Sequence, residues 1–271
     1  MDNRCIGVFD SGLGGLTCVK EIMKLLPGES IVYFGDTGRV PYGTRSAETI
    51  IKYAVSDIRF LKQFDPKVIV IACGTVSTTA LGIAKEQFPE DTFLGVTTPS
   101  AIAAANATKN GKIGVIGTSR SINSGKYEEE IRGIRPDAEV FSKSCPLFVP
   151  LVENGWLDKK ATYLVAEEYL EPLQKAGVDT LILGCTHYPL IKKVIGDIMG
   201  DGVTLIDPGR ETAGFIKNAI DGGDIAPSDT PAKHSFYVSD KVDGFTDMAE
   251  MFLSRKITGS VEKIDIEKYM I

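Results

Sequence analysis

Short apolar runs alternate with segments of helical period along almost the whole chain. The runs CIGVFD (5–10), SIVYFGD (30–36), VIVIAC (68–73), TFLGV (92–96), KIGVIGT (112–118), AEVFSKS (138–144), TLILGC (180–185), VTLID (203–207) and HSFYVSD (234–240) are rich in β-branched and aromatic residues and run into polar turns. That pattern predicts strands. Between them, apolar residues recur every three to four positions. In LTCVKEIMKLL, Leu16, Val19, Ile22, Met23 and Leu26 share one face, and Pro27-Gly28 ends the pattern. A second helical pattern starts at the N-cap residue Ser46 and stops before Asp65-Pro66. A third starts at Asp158 and stops at Gly177, a C-cap residue. Alternation of this kind predicts an α/β fold with mainly parallel sheets and helices on both faces.

The pattern also repeats. IGVFDSG (6–12) resembles IGVIGTS (113–119), and the run ending in Cys73 resembles the run ending in Cys185, in the same order and at nearly the same offset. Chance likeness between apolar strands competes with duplication. If the repeat is real, the chain is two similar doubly wound domains. Ligands of open α/β sheets sit beyond the carboxyl ends of the strands, so two facing halves would set Cys73 and Cys185 on opposite walls of one cleft.

Composition narrows the partners. A net charge of −6 over 271 residues gives no basic field, so no nucleic-acid partner is expected. No apolar run approaches the length of a membrane span, and MDNRCIGVFDSG enters a strand without the features of a signal peptide. The five cysteines are scattered without CxxC spacing, which argues against a disulfide framework or a zinc site and for a reducing cytoplasm. A dinucleotide fingerprint also fails, because Thr17 stands where the third glycine belongs.

Two strand-end thiols allow three readings on residue types alone. They are inert core residues, a redox pair, or an acid and a base on either side of a carbon acid. The third would invert a stereocentre without metal or cofactor. Asp10 and Ser11 precede Gly12-Leu13-Gly14-Gly15 at a helix start, which suits either an anion or a capped tight turn. Taken alone, Thr75, Thr118 and Thr186 read as caps, Glu153 as a surface residue, and Pro41-Tyr42-Gly43 as a polar loop.

Six blocks together change the picture. GVFDSGLGGLT (7–17), GDTGRVPYGTRS (35–46), ACGTVS (72–77), GVIGT (114–118), PLVENGW (150–156) and GCTHYPLI (184–191) resemble the glutamate racemases, within the cofactor-independent two-cysteine aspartate/glutamate racemases. The resemblance runs from about residue 6 to about residue 215 and is weaker beyond. It implies that Cys73 and Cys185 transfer protons and that Asp10 orients or deprotonates a neighbouring thiol or the substrate ammonium. By the same resemblance Asp10 and Ser11 line the site and bind substrate, and Pro41, Tyr42 and Gly43 meet the side-chain carboxylate of glutamate. Thr75, Thr118 and Thr186 offer hydroxyls, His187 partners the second thiol, and Glu153 assists from the His187 side. The resemblance further implies an isomerase without cofactor or metal, D-glutamate for peptidoglycan as product, and a homodimer. It divides the chain into a first domain, 1–97 plus 208–271, and a second, 98–207, with the site between them. The departure is Gly74, where the family usually carries an asparagine that contacts substrate. Glycine deletes that side chain and permits unusual backbone angles, and it leaves room for another acidic amino acid such as aspartate. A two-lobed amino-acid-binding protein without catalysis is the competing class. Cys5, Cys18 and Cys145 fall outside the blocks and receive no role.

Overall fold

A computed structural model describes residues 1–240, 245–257 and 261–270. Its strands are β1 (Ile6–Asp10), β2 (Ile31–Gly35), β3 (Val68–Ile71), β4 (Phe93–Gly95), β5 (Lys112–Gly117), β6 (Glu139–Ser144), β7 (Thr180–Leu183), β8 (Thr204–Ile206), β9 (His234–Val238) and β10 (Val261–Lys263). Each predicted run carries one of them. Only β10, the polar edge segment VEK, escaped the patterning.

The strands form two sheets, ordered β10-β9-β2-β1-β3-β4 and β6-β5-β7-β8. Every ladder among the described residues is parallel. The orders β2-β1-β3-β4 and β6-β5-β7-β8 are the same, so the repeat in the sequence extends to the topology, with β1 matching β5 and β3 matching β7.

Parallel strands buried on both faces read as unbroken apolar runs, and the side chains divide accordingly. Ile6 and Val8 of β1, Ile31 and Tyr33 of β2, and Val68 and Val70 of β3 enter one core cluster. Phe9, Val32, Phe34, Ile69 and Ile71, at the alternate positions, enter another. The first cluster continues into Ile116 of β5 and Leu181 and Leu183 of β7, so one core runs through both halves. Ile113, Val115 and Ile182 face a third.

Helices close both faces of each sheet. Leu16–Leu25 and Pro208–Gly222 lie on one side of the first sheet, and Ala47–Lys62 and Gly74–Gln87 on the other. Ser46 caps Ala47–Lys62, accepting the Thr49 N–H at 3.3 Å. Lys160–Ala176 ends at Gly177 in the left-handed region (φ 72°), the conformation glycine adopts without steric penalty. Its start differs from the prediction. The first intrahelical N–H groups point to the Lys159 carbonyl, so Lys159 rather than Asp158 is the N-cap. After β8 the chain leaves the second sheet, and Pro208–Gly222 packs against Leu16–Leu25.

This topology places the site. Because β1 adjoins β3, their carboxyl ends bring Asp10 and Cys73 together. Because β5 adjoins β7, theirs bring Thr118 and Cys185 together.

Candidate active site

Cys73 is the N-cap of helix Gly74–Gln87, so the positive end of the helix dipole lies at its sulfur. Its thiol donates to Ser11 Oγ at 3.5 Å. Burial nevertheless pushes the thiol up to about 12, with the Asp10 carboxylate adding to the rise and Ser11 opposing it. Asp10 is fully buried. Its Oδ2 accepts the Gly12 N–H at 2.9 Å and its Oδ1 the Thr186 hydroxyl at 3.5 Å. Burial raises this carboxyl, while the His187 charge and the surrounding N–H groups hold it down.

Cys185 sits in a different chain of contacts. Its Sγ lies 3.8 Å from His187 Nδ1, and His187 Nε2 lies 3.1 Å from Glu153 Oε1. The imidazole is buried and packs edge-on against Phe252 at 5.1 Å. Burial disfavours its charge, but the bonds to Cys185 and Glu153 outweigh that and raise it to about 10. Glu153 reaches in from the solvent side, with its side chain 49% exposed. The result is a carboxylate–imidazole–thiol relay running from solvent to Cys185.

Both thiols line one cavity of about 390 Å³, within the range of small-ligand sites. Ser11, Pro41, Tyr42, Gly43, Gly74, Thr75, Thr118, Glu153, Thr186 and His187 share its walls. Hydroxyls bridge the halves, with Thr75 Oγ1 2.9 Å from Thr118 Oγ1 and 3.4 Å from Ser121 Oγ. Among the described residues, no lysine or arginine lines the cavity. A dianionic ligand would therefore be held by hydroxyl and backbone N–H donors rather than by opposite charge. The described residues contain no group of three or more His, Cys, Asp or Glu side chains arranged to hold a metal ion.

Residues 6–216 match the family described as Asp/Glu/Hydantoin racemase. The chain belongs to that family. It is 46% identical over 265 residues to the glutamate racemase of Geobacter metallireducens, covering 97% of each chain. Among solved structures it superposes on a glutamate racemase isoform of Bacillus anthracis with a TM-score of 0.93 at 39% identity, covering 98% of each chain. It also superposes on the glutamate racemase of Francisella tularensis in complex with D-glutamate, with a TM-score of 0.92 at 39% identity, covering 99% and 100%. The two-sheet α/β architecture is thus that of glutamate racemase structures.

Against this family frame, three predicted residues sit differently from their expectation. Asp10 is not on the cavity wall but behind it, meeting the site through Gly12 and Thr186. The Tyr42 hydroxyl donates to Asp36 and lies 3.4 Å from Asp57, carboxylates that Arg39 bridges at 2.6 and 2.7 Å. The Tyr42 hydroxyl is therefore engaged by these buried carboxylates. Gly74 has ordinary helical backbone and lies outside the left-handed region, so its conformational freedom goes unused.

Sequence reading passed over other wall residues, among them Val40, Pro146, Val149 and Pro150. Val149 and Pro150 precede Glu153 by four and three positions in helix Phe148–Glu153, so helical spacing from Glu153 would have found them. The opposite side of that helix, with Leu147, Leu151 and the half-exposed Trp156, borders a separate groove of about 290 Å³ that shares Pro150 with the site.

Proposed function

We propose that this protein interconverts L- and D-glutamate without cofactor or metal, using Cys73 and Cys185 as a thiolate/thiol pair. In one direction the Cys73 thiolate takes the α-hydrogen as a proton and leaves the C–H electron pair on the α-carbon. The Cys185 thiol then delivers its proton to the opposite face and becomes the thiolate. The reverse direction exchanges the two roles. His187 stabilises the Cys185 thiolate, with Glu153 holding the imidazole. Asp10 acts from behind Cys73, and Ser11, Thr75, Thr118, Thr186 and the backbone at Pro41–Gly43 and Gly74 receive the substrate. The two domains are 1–97 plus 208–271 and 98–207. The enzyme works in the cytoplasm as a homodimer and supplies D-glutamate for peptidoglycan.

The observation that carries this reading is the placement of two cysteines at the carboxyl ends of equivalent strands on the walls of one cavity. Glutamate is favoured as substrate by the full-length relatives that bear that name. Incubation of purified protein with L-glutamate in D₂O, with no added cofactor, should exchange the α-hydrogen and abolish optical activity. Retention of both α-hydrogen and rotation would end the proposal. A second reading, racemisation of aspartate or another small acidic amino acid, draws on Gly74. Faster turnover of aspartate than of glutamate would establish it instead.

A further inference from the structure

One wall of the cavity is a single loop, residues 40–44, that leads into helix Ala47–Lys62. Val40, Pro41, Tyr42, Gly43 and Thr44 all border the cavity. The loop also touches the second half. A Cβ built on Gly43 would stand 3.1 Å from Thr118 Cβ, and Arg120 Nε donates to the Arg45 carbonyl at 3.3 Å. The Arg45 N–H in turn donates to the Tyr42 carbonyl at 3.0 Å.

Against this loop, outside the cavity lining, lies a buried ion cluster. The Asp36 and Asp57 side chains are fully buried, and that of Arg39 is 9% exposed. One guanidinium joins three parts of the chain. Its Nε donates to Asp36 Oδ2 at 2.6 Å, before the loop. Its Nη2 donates to Asp57 Oδ1 at 2.7 Å and to Ser56 Oγ at 3.0 Å, on the helix after the loop. Its Nη1 meets Met270 Sδ at 3.2 Å, beside the turn Ile266–Tyr269, and its carbon lies 4.3 Å from the centre of the Tyr53 ring. From the loop itself, the Tyr42 hydroxyl donates to Asp36. Lysine cannot reproduce this fan of bonds, because an ammonium is a point charge without the planar fork. Taking one partner from a buried pair leaves an uncompensated charge, so lifting the loop off the cluster is costly.

We infer that Arg39 is a positioning residue which, by joining Asp36 to Asp57 across the base of the loop, holds residues 40–44 where the side-chain carboxylate of glutamate is received. This rests on the proposed function and adds what fixes that wall. Arg39 does not border the cavity, so its loss should weaken binding and spare the chemistry.

The test compares Arg39→Lys with Arg59→Lys. Arg59 lies on the same helix as Asp57 and bonds the same turn, its Nη1 donating to the Tyr269 carbonyl at 3.3 Å, rather than the loop. Two quantities are read: kcat and KM for glutamate, and hydrogen–deuterium exchange of the Arg45 amide in protein without ligand. Arg39→Lys should raise KM about tenfold with kcat within about threefold of wild type, as expected when hydrogen bonds between charged groups that serve binding are lost. Its Arg45 amide should exchange at least about tenfold faster, as the loop opens locally. Arg59→Lys should match wild type in both readouts. Asp57→Asn, which keeps an oxygen for Arg39, should shift both in the same direction by about threefold and takes the place of Arg39→Lys if that variant does not fold. A folded Arg39→Lys protein with wild-type KM and Arg45 exchange overturns the inference. So does a fall in kcat at unchanged KM, or failure of both variants to fold, because the cluster would then serve the chemistry or the fold rather than the wall. A wild-type protein that exchanges no α-hydrogen of glutamate defeats the racemase reading instead, and the Arg45 amide still decides the anchoring.

Discussion

Cys73 and Cys185 occupy equivalent places in two sheets of the same strand order, yet their surroundings are opposite in kind. Cys73 lies at a helix N-terminus against a serine hydroxyl, with a buried carboxylate behind it. Cys185 has an imidazole at 3.8 Å and, through it, a carboxylate open to solvent. A duplicated scaffold fixes where two reactive groups stand but not their proton affinity, which the adjoining side chains set separately. One thiol depends on a dipole and a hydroxyl; the other has a titratable partner.

That contrast can be broken at its root. Cys73→Ser and Cys185→Ser should each cut racemisation by at least about 1,000-fold, since in the proposed mechanism each removes one of the two acid–base groups. Circular dichroism should show both variants folded, and turnover by either one would remove the need for a pair.

The next effect separates the two sides. His187→Gln should lower kcat by about 10- to 100-fold while leaving KM for glutamate largely unchanged. It should also change the pH response of stability. The His187 pKa is raised from 6.5 to about 10, so the imidazolium contribution is complete below the unfolded value and is lost as pH climbs through about 10. Thermal melts of wild type should decline across that window, and the variant should lack the decline. An identical pH response in the two proteins would place His187 outside the relay.

The smallest effect concerns Glu153. Its side chain is half exposed, so Glu153→Gln should cost less than about tenfold in kcat and should lower the pKa of His187, seen by NMR titration of the imidazole. A loss as large as that of His187→Gln would make Glu153 a direct participant.

Much of this was legible in the chain. Strands buried on both faces leave unbroken apolar runs, which is why β1, β3, β5 and β7 and the cysteines after β3 and β7 could be read directly. β10 could not, because a polar edge strand carries no core-facing pattern. The roles of Asp10 and Tyr42 were blurred for another reason. A motif marks which residues gather at a site, but whether a hydroxyl meets a ligand or a buried aspartate depends on neighbours brought from elsewhere, such as Asp57 and Arg39 beside Tyr42.

Helix Phe148–Glu153 has one further consequence. It shows Val149, Pro150 and Glu153 to the cavity, and the chain's single tryptophan follows it on the outside, with the Trp156 backbone N–H donating to the Leu151 carbonyl at 2.9 Å. The protein thus carries its own optical reporter, fastened to the wall it would monitor. Indole emission is therefore expected to change when the cavity fills, a titration that needs neither label nor turnover.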